Sequence, residues 1–160
     1  MMAENYYYIP ENQIIENRVN KGLFGEVYSG EGEYLQDIKT VTKYPNGKTS
    51  WRKFWQLGKR GAFYPTHSLG PVMKWFKGDH IKSIPCFGTG WYAAPELRQD
   101  GTAITVCRME SGKLIKLRID CISERPYNMS YYSLQGTKGY YEAPKPWVPN
   151  TQFQVLQPCF

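Results

Sequence analysis

Apolar residues recur at helical spacing in two segments of the first half of the chain. Residues 11–21 carry three apolar side chains at this spacing, and Gly22 follows as a C-terminal cap. Residues 66–76 place apolar side chains on one helical stripe, and Pro71 is compatible with a helix that begins close to it. The spacing therefore predicts two helices, the second of which has His67 at its entrance.

Strand patterns dominate the second half of the chain. Segments rich in β-branched and aromatic residues predict strands over residues 81–88, 102–109, 113–121 and 129–134. An earlier strand is predicted over residues 26–34, where Gly30 and Gly32 permit the close approach of another group, with a ligand as the candidate. Helices followed by sequential antiparallel strands predict an α+β fold, an open and predominantly antiparallel sheet with helices on one face.

Two further segments show no sustained period. Residues 38–63 contain turn residues and no regular spacing, which predicts a long ordered loop, and loops of this length often cover a functional site. Proline-rich sequence follows residue 143. We therefore expect one domain over residues 1–143 and an irregular or truncated tail over residues 144–160.

The net charge of +6 is unevenly distributed along the 160 residues. A content of 41% hydrophobic and 21% charged residues is ordinary for a globular domain and excludes wholesale disorder. Residues 38–78, however, contain nine basic residues and no acidic residue. This segment is either a solvated loop or a positive surface for phosphate or carboxylate groups. No nucleic-acid-binding motif accompanies the charge, so we expect no nucleic acid partner.

The sequence shows neither a membrane span nor a signal peptide, so we expect no membrane partner, and the cytoplasm is the default expectation for localisation. The four cysteines form no CxxC pair and the two histidines lie in different segments. This spacing is poor for metal ligation, so we expect no metal site and reduced thiols.

The most specific candidate for chemistry is the pair Tyr64 and His67. A histidine three residues after a tyrosine, at the mouth of a helix, places imidazole and phenol around one small volume, where either group can exchange a proton with a substrate hydroxyl. A structural role for the histidine is the alternative. Glu4, in the run Glu4-Asn5-Tyr6-Tyr7-Tyr8, offers hydrogen-bonding groups to a polyol, whereas Tyr34 and Arg52 stand as isolated polar residues.

Several motifs occur together in a familiar order. They are MAENY at residues 2–6, GLFGE at 22–26, EGEY at 31–34, YPTHSLGP at 64–71 and SLQGTKG at 133–139. With them the chain resembles the C-terminal domain of the Gfo/Idh/MocA oxidoreductases. It is most similar to the branch of nicotinamide-dependent glycoside hydrolases that includes α-N-acetylgalactosaminidases. The resemblance covers about residues 2–143, and YPTHSLGP is its most specific part.

The resemblance implies that the cofactor and the substrate are bound mainly by two different domains. In that family an N-terminal Rossmann domain binds the dinucleotide, and this chain has no GxGxxG fingerprint of its own. The resemblance therefore implies a fragment whose cofactor, NAD or NADP, is bound mainly by the absent N-terminal domain, and which is inactive in isolation. It also implies a sugar or glycoside as substrate and a homo-oligomer formed through the sheet.

The resemblance further assigns roles at matching positions. Tyr64 and His67 become the proton-handling catalytic residues, with exchangeable roles, and Glu4, Tyr34 and Arg52 become substrate-binding residues. In the broader oxidoreductase pattern an aspartate follows the catalytic-site histidine by three positions. This chain has Gly70 there, a departure that favours the glycosidase-like branch.

Besides an anion-binding surface over residues 38–78, two classes of function remain open from the sequence. The first is the substrate-binding and catalytic half of a sugar oxidoreductase or of a redox-assisted glycoside hydrolase, in which NAD transiently oxidises a sugar hydroxyl. The second is a noncatalytic carbohydrate-binding or oligomerisation module, which the 16% aromatic content favours. Convergence of the five site residues into one pocket supports the enzyme, whereas aromatic residues spread over an open sheet face support the module.

Overall fold

The computed structural model describes residues 4–123, 125 and 127–144 and the backbone of residues 153–154. The helical elements are a 3-10 helix at Asn5–Tyr8, α1 at Pro10–Asn20, a second 3-10 helix at Lys39–Thr42, α2 at Arg52–Trp55 and α3 at Thr66–Trp75. The strands are β1 at Val27–Leu35, β2 at Ile81–Ser83, β3 at Cys86–Gly88, β4 at Ala103–Met109, β5 at Leu114–Asp120, β6 at Asn128–Gly136, β7 at Tyr140–Glu142 and β8 at Phe153–Gln154.

The eight strands form one open sheet in the order β2-β4-β5-β1-β6-β7-β8, with β3 also paired to β4. Every pair is antiparallel except the central pair of β1 and β5, which is parallel. The predicted α+β class and the predominantly antiparallel sheet are confirmed. The sequence did not predict the place of β1, which comes from the start of the chain and inserts between the later strands β5 and β6.

Helix α3 lies directly on the sheet, and α1 packs against α3. The contact with β1 is unusually close, because a Cβ atom added at Gly32 would lie 2.3 Å from the carbonyl oxygen of Ser68. At Gly30 an added Cβ would lie 2.7 Å from a methyl carbon of Val72. The two glycines therefore accommodate α3. The expectation that a ligand approaches this strand at the glycines is wrong, since the helix occupies that space.

The ends of α1 follow the predicted signals. Pro10 occupies its first turn, where a missing N–H costs nothing. At the other end Gly22 has a φ of +76°, a left-handed conformation that glycine adopts without strain. The N–H of Gly22 and the N–H of Leu23 then donate to carbonyls of the last helical turn, at 2.9 and 3.1 Å.

Helix α3 contains Pro71 in its interior rather than near its start. Proline has no N–H, so Pro71 cannot donate to the carbonyl of His67 four residues earlier. That carbonyl instead accepts a hydrogen bond of 2.6 Å from the phenol of Tyr132 on β6. The break in the helical ladder thus ties the backbone of His67 to the sheet.

The segment predicted as a long loop has local structure. Besides a 3-10 helix and α2, an isolated bridge pairs Lys43 with Thr49. The segment is fixed to the domain through Leu57, which is fully buried and whose carbonyl accepts from the N–H groups of Arg98 and Gln99. The carboxylate of Asp100 adds a hydrogen bond of 2.6 Å from the N–H of Gly61.

The C-terminal segment is described only in part. The sequence predicts an irregular tail over residues 144–160, but β8 lies within this region and its backbone pairs with β7. Residues 145–152 and 155–160 lie outside the described residues. Among the helices of the described ranges, none is long and apolar enough to cross a membrane.

Candidate functional site

Four of the five predicted site residues meet where α3 begins over the C-terminal half of β1. The segment before α3 supplies Tyr64, the first turn of α3 supplies His67, and β1 supplies Tyr34. The residue that caps the first 3-10 helix is Glu4. The first turn of α3 is thereby enclosed by groups that are distant in sequence.

The carboxylate of Glu4 holds one side of the imidazole. Its Oε1 atom lies 2.5 Å from Nδ1 of His67 and accepts a hydrogen bond of 3.1 Å from the N–H of Tyr6. Burial by itself raises the pKa of the Glu4 carboxyl, but the hydrogen bonds from Tyr6 and His67 outweigh burial, and the pKa lies below its ordinary value. Glu4 is therefore an anion at neutral pH.

The ionised carboxylate decides which nitrogen of His67 carries the proton. A carboxylate only accepts hydrogen bonds, so Nδ1 must be the protonated nitrogen. In the neutral imidazole Nε2 then holds a lone pair, and it lies 3.1 Å from the phenol oxygen of Tyr64. The three groups form an ordered array in which Tyr64 donates to His67 and His67 donates to Glu4.

Aromatic rings enclose the imidazole on several sides. The ring of Tyr6 stacks on His67 with centroids 4.2 Å apart and planes inclined by 23°. Tyr34 and Tyr64 lie with ring centroids 5.2 and 4.9 Å from that of His67. These contacts shield much of the ring of His67, whose side chain is 14% exposed, and restrict its rotation, which strengthens its hydrogen bonds to the neighbouring groups.

The phenol of Tyr34 is held neutral. Burial raises its pKa well above the ordinary value, the neighbouring phenol of Tyr64 raises it further, and the guanidinium of Arg52 opposes the shift. The hydroxyl of Tyr34 donates to the side-chain oxygen of Gln36 at 2.5 Å. Tyr34 can therefore donate or accept hydrogen bonds but is not a base at neutral pH.

Arg52 lies at the edge of the cluster on α2. Its Nη1 atom donates to Oε1 of Gln56 at 2.6 Å, and its guanidinium lies 4.7 Å from the ring centroid of Trp51. Its charge acts on Tyr34, but its side-chain hydrogen bond goes to Gln56 and not to the other four predicted residues. The structure thus brings Glu4, Tyr34, Tyr64 and His67 into contact and places Arg52 beside them.

Gln56 and Tyr132 support the site but were not singled out from the sequence, and Tyr6 was named there only as part of the tyrosine run after Glu4. Tyr6 stacks on the imidazole, Gln56 orients Arg52 from a buried position, and Tyr132 anchors the His67 carbonyl. The helical spacing of four between Arg52 and Gln56 was a local signal that could have found Gln56. Nothing local links Tyr132 to His67, because they lie 65 positions apart.

The presence of glycine at position 70 has a steric explanation in this site. A Cβ atom at this position would lie 3.0 Å from Cζ of Tyr7, a tight contact that would require the ring to shift by a few tenths of an ångström. An aspartate here, as in the broader oxidoreductase pattern, would therefore press on the tyrosine run that carries Tyr6 over the imidazole. The glycine and the stacked tyrosine belong to one arrangement.

The described residues provide neither a usual set of metal ligands nor a usual binding motif for a dinucleotide. The described residues contain no group of three or more His, Cys, Asp or Glu side chains that could hold a metal ion. The sequence has no glycine-rich turn of the Rossmann type, so the residues present do not fit the cofactor phosphates. The side chains that surround His67 are a carboxylate and phenols, groups that can form hydrogen bonds and exchange protons.

Comparison with known families shows to which family this chain belongs. Residues 8–90 match the family described as glycosyl hydrolase 109, C-terminal domain. The chain belongs to glycosyl hydrolase family 109. It is 32% identical over 161 residues to the α-N-acetylgalactosaminidase of Shewanella oneidensis, a match that covers 88% of this chain and 35% of that protein. A family 109 protein of Shewanella pealeana matches with the same identity and coverage. The chain thus spans about a third of the length of these family 109 relatives.

Solved structures confirm the fold. Levoglucosan dehydrogenase in complex with NADH and L-sorbose superimposes with a TM-score of 0.68 at 20% identity, over 89% of this chain and 39% of that one. The WlbA dehydrogenase of Bordetella pertussis, in complex with NADH and UDP-GlcNAcA, gives a TM-score of 0.69 at 14% identity, over 96% and 45%. This family 109 chain therefore has the C-terminal fold of the Gfo/Idh/MocA oxidoreductases, as its motifs predicted.

Proposed function

We propose that this chain is the substrate-binding and catalytic half of a redox-assisted glycoside hydrolase that acts on an N-acetylhexosaminide with NAD or NADP. The single observation that carries the proposal is the array of Glu4, His67 and Tyr64 beside Tyr34. Membership of family 109 and the activity named for the Shewanella oneidensis relative supply the substrate class.

The dinucleotide would be held by a separate half, since this chain lacks the fingerprint for it. A nicotinamide bound there would supply reversible hydride transfer to and from a sugar carbon. This chain supplies the proton transfers that accompany those hydride steps. The hydroxyl of Tyr64 accepts a proton from the sugar hydroxyl as its own proton passes to Nε2 of His67.

Glu4 acts through His67 rather than on the sugar. Its carboxylate lies against Nδ1 and stabilises the imidazolium that forms when Nε2 takes the proton. In this proposal Tyr64 is the group that touches the sugar and His67 is the proton store, which is one of the two assignments that the sequence left open. Tyr34 and Arg52 remain hydrogen-bonding residues for the substrate.

A net sugar oxidoreductase is the second candidate, favoured by the same array and by the dehydrogenase fold. It differs in the fate of the hydride, which leaves with the cofactor. The noncatalytic module is less well supported, because Glu4, Tyr34, Tyr64 and His67 converge around one imidazole instead of spreading over an open sheet face.

Supplying the missing half tests the proposal. We would fuse residues 2–143 to the N-terminal portion of the Shewanella oneidensis relative and assay a chromogenic α-N-acetylgalactosaminide with NAD. We expect cleavage without accumulation of NADH, loss of at least about a hundredfold in kcat in Tyr64→Phe and His67→Ala, and no activity of the chain alone. Tyr28→Phe, an exposed tyrosine on β1, is the matched control.

The possible results separate the candidates. Stoichiometric NADH from free sugar would favour the oxidoreductase. A folded fusion that binds NAD but performs neither reaction, while the relative's own C-terminal domain is active at the same junction, would rule out catalysis by this chain. The genomic sequence upstream of Met1 gives an independent check, since a strand followed by GxGxxG in the same frame is expected there.

A further inference from the structure

A second cluster of exposed and half-buried side chains adjoins the site. We name it the aromatic-cationic strip and define it as Trp51, Arg52, Trp55, Lys59 and Phe63. The two indole rings are 51% and 61% exposed, unusually high for tryptophan. They lie four residues apart across α2, which places them on one face of that helical turn.

Cations lie over the rings of the strip. The ammonium of Lys59 is 4.2 Å from the ring centroid of Trp55 and 4.7 Å from that of Phe63. The guanidinium of Arg52 lies 4.7 Å from the Trp51 ring. These contacts fix two positive charges at the surface next to flat apolar faces.

The two charges have no anionic partner in the described part of the chain, where neither Arg52 nor Lys59 forms a salt bridge. Arg60 differs, because the buried carboxylate of Asp100 lies 3.3 Å from it. Across residues 38–78 no acidic residue offsets the basic ones. The strip therefore presents uncompensated positive charge beside aromatic faces.

The strip is continuous with the candidate site. Phe63 immediately precedes Tyr64, and Arg52 influences the phenol of Tyr34 through its charge. A glycan whose reacting sugar touches Tyr64 could therefore reach Phe63 and, through Lys59, Trp55 with a neighbouring sugar unit. This adjacency distinguishes the strip from exposed aromatic residues elsewhere, such as Phe87 on β3.

We propose that the aromatic-cationic strip is a subsite for an acidic saccharide unit of the glycan, a uronic acid or a sulfated sugar joined to the reacting residue. The C–H face of the sugar stacks on Trp55, and its carboxylate or sulfate pairs with Lys59 and Arg52. The inference rests on the proposed function for its assumption that the ligand is a glycan. The aromatic-cationic strip then selects among glycans that share the same reacting sugar.

Stacking rings and basic side chains also suit single-stranded nucleic acid, but the strip offers two unpaired cations rather than a groove that follows a backbone. Its position beside the proposed sugar site favours the saccharide. Single-stranded nucleic acid is therefore expected to bind less tightly than an acidic saccharide.

Binding to the full 160-residue chain tests the subsite without any turnover. The probe is the disaccharide of glucuronic acid and N-acetylglucosamine, with neutral N-acetyllactosamine as its match, titrated by calorimetry and tryptophan fluorescence. We expect the acidic disaccharide to bind about fivefold more tightly than the neutral one. Trp55→Ala should weaken binding of both by about fivefold, and Lys59→Gln should abolish the preference. Phe87→Ala is the control and should change neither.

Three results would overturn the subsite: equal affinity for both disaccharides, unchanged affinity in Trp55→Ala, or affinity for tripolyphosphate or a thymidine hexanucleotide equal to that for the acidic disaccharide. The last would indicate a nonspecific anion surface. The binding assay needs neither cofactor nor catalysis, so its failure can be told apart from failure of the proposed reaction. Turnover by the fusion without this binding would contradict the subsite alone. Binding without turnover would contradict only the proposed reaction.

Discussion

Glu4 is the residue whose charge sets the state of the whole array. The folded protein lowers the pKa of this carboxyl, so its ionised form binds its partners more strongly in the folded state than in the unfolded chain. The resulting stabilisation is complete above the pKa of the unfolded carboxyl. It is lost as pH falls through the lower folded pKa, and acid therefore releases His67 from Glu4.

Glu4→Gln tests this arrangement directly. The amide is neutral and can donate as well as accept a hydrogen bond, so it does not require Nδ1 of His67 to be protonated. We therefore expect the nitrogen chemical shifts of His67 to lose the Nδ1–H pattern. We also expect unfolding free energy at pH 7 to fall by about 1–3 kcal/mol, with the difference from the native protein shrinking towards pH 3. In the fusion, kcat should fall about tenfold to a hundredfold.

Glu11→Gln is the matched control for Glu4→Gln, because Glu11 is an exposed carboxylate in the first turn of α1. It should leave the spectrum of His67 and the pH dependence unchanged. An unaltered Nδ1–H pattern in the Glu4 variant would show that something other than this carboxylate fixes the imidazole.

At the scale of elements, the distance between α3 and β1 positions His67 over Tyr34. That distance depends on Gly32, whose missing side chain lets the Ser68 carbonyl approach. Gly32→Ala should force the two elements apart and cost about 1–3 kcal/mol in unfolding free energy, measured by urea denaturation. The same variant should shift the ring resonances of Tyr34 and His67.

Gly47 provides the comparison for Gly32. It has a φ of +78° and nothing within 4 Å of an added Cβ, so Gly47→Ala carries only a conformational cost of about 1 kcal/mol. It should leave the site resonances in place. Equal effects of the two alanines on those resonances would contradict the close-packing explanation.

The elements also show what local sequence could predict. The predicted helices over residues 11–21 and 66–76 agree with α1 and α3 within one residue at each end, because side-chain spacing is a local signal. The spacing of three between Tyr64 and His67 was local in the same sense. The central place of β1 and the bond from Glu4 to His67, 63 positions away, depend on distant partners, which spacing does not encode.

At the scale of the whole molecule, one face of the sheet carries no helix from the described part of the chain. On this face Ile104 and Leu114 are 42% and 46% exposed, and Lys116 pairs with Glu31 at 2.7 Å. Mixed apolar and paired polar groups suit a self-complementary interface. We propose that two copies of the chain associate through this face.

Light scattering after size-exclusion chromatography checks the association. We expect a dimer at about 100 μM protein and a monomer for Ile104→Asp, since a buried unpaired carboxylate opposes association. Ile14→Asp is the control because Ile14 is equally exposed but lies on α1. A monomer at all concentrations, or dissociation by both aspartates alike, would argue against this face.

Pro71 also has a consequence for protein engineering. A stabilisation strategy that replaces interior helix prolines with alanine would restore an N–H at this position and offer the carbonyl of His67 a second donor in competition with Tyr132. The helix would gain regularity while the imidazole lost part of its attachment to the sheet. Thermal stability and alignment of the proton-transfer groups are therefore expected to change in opposite directions at this one position.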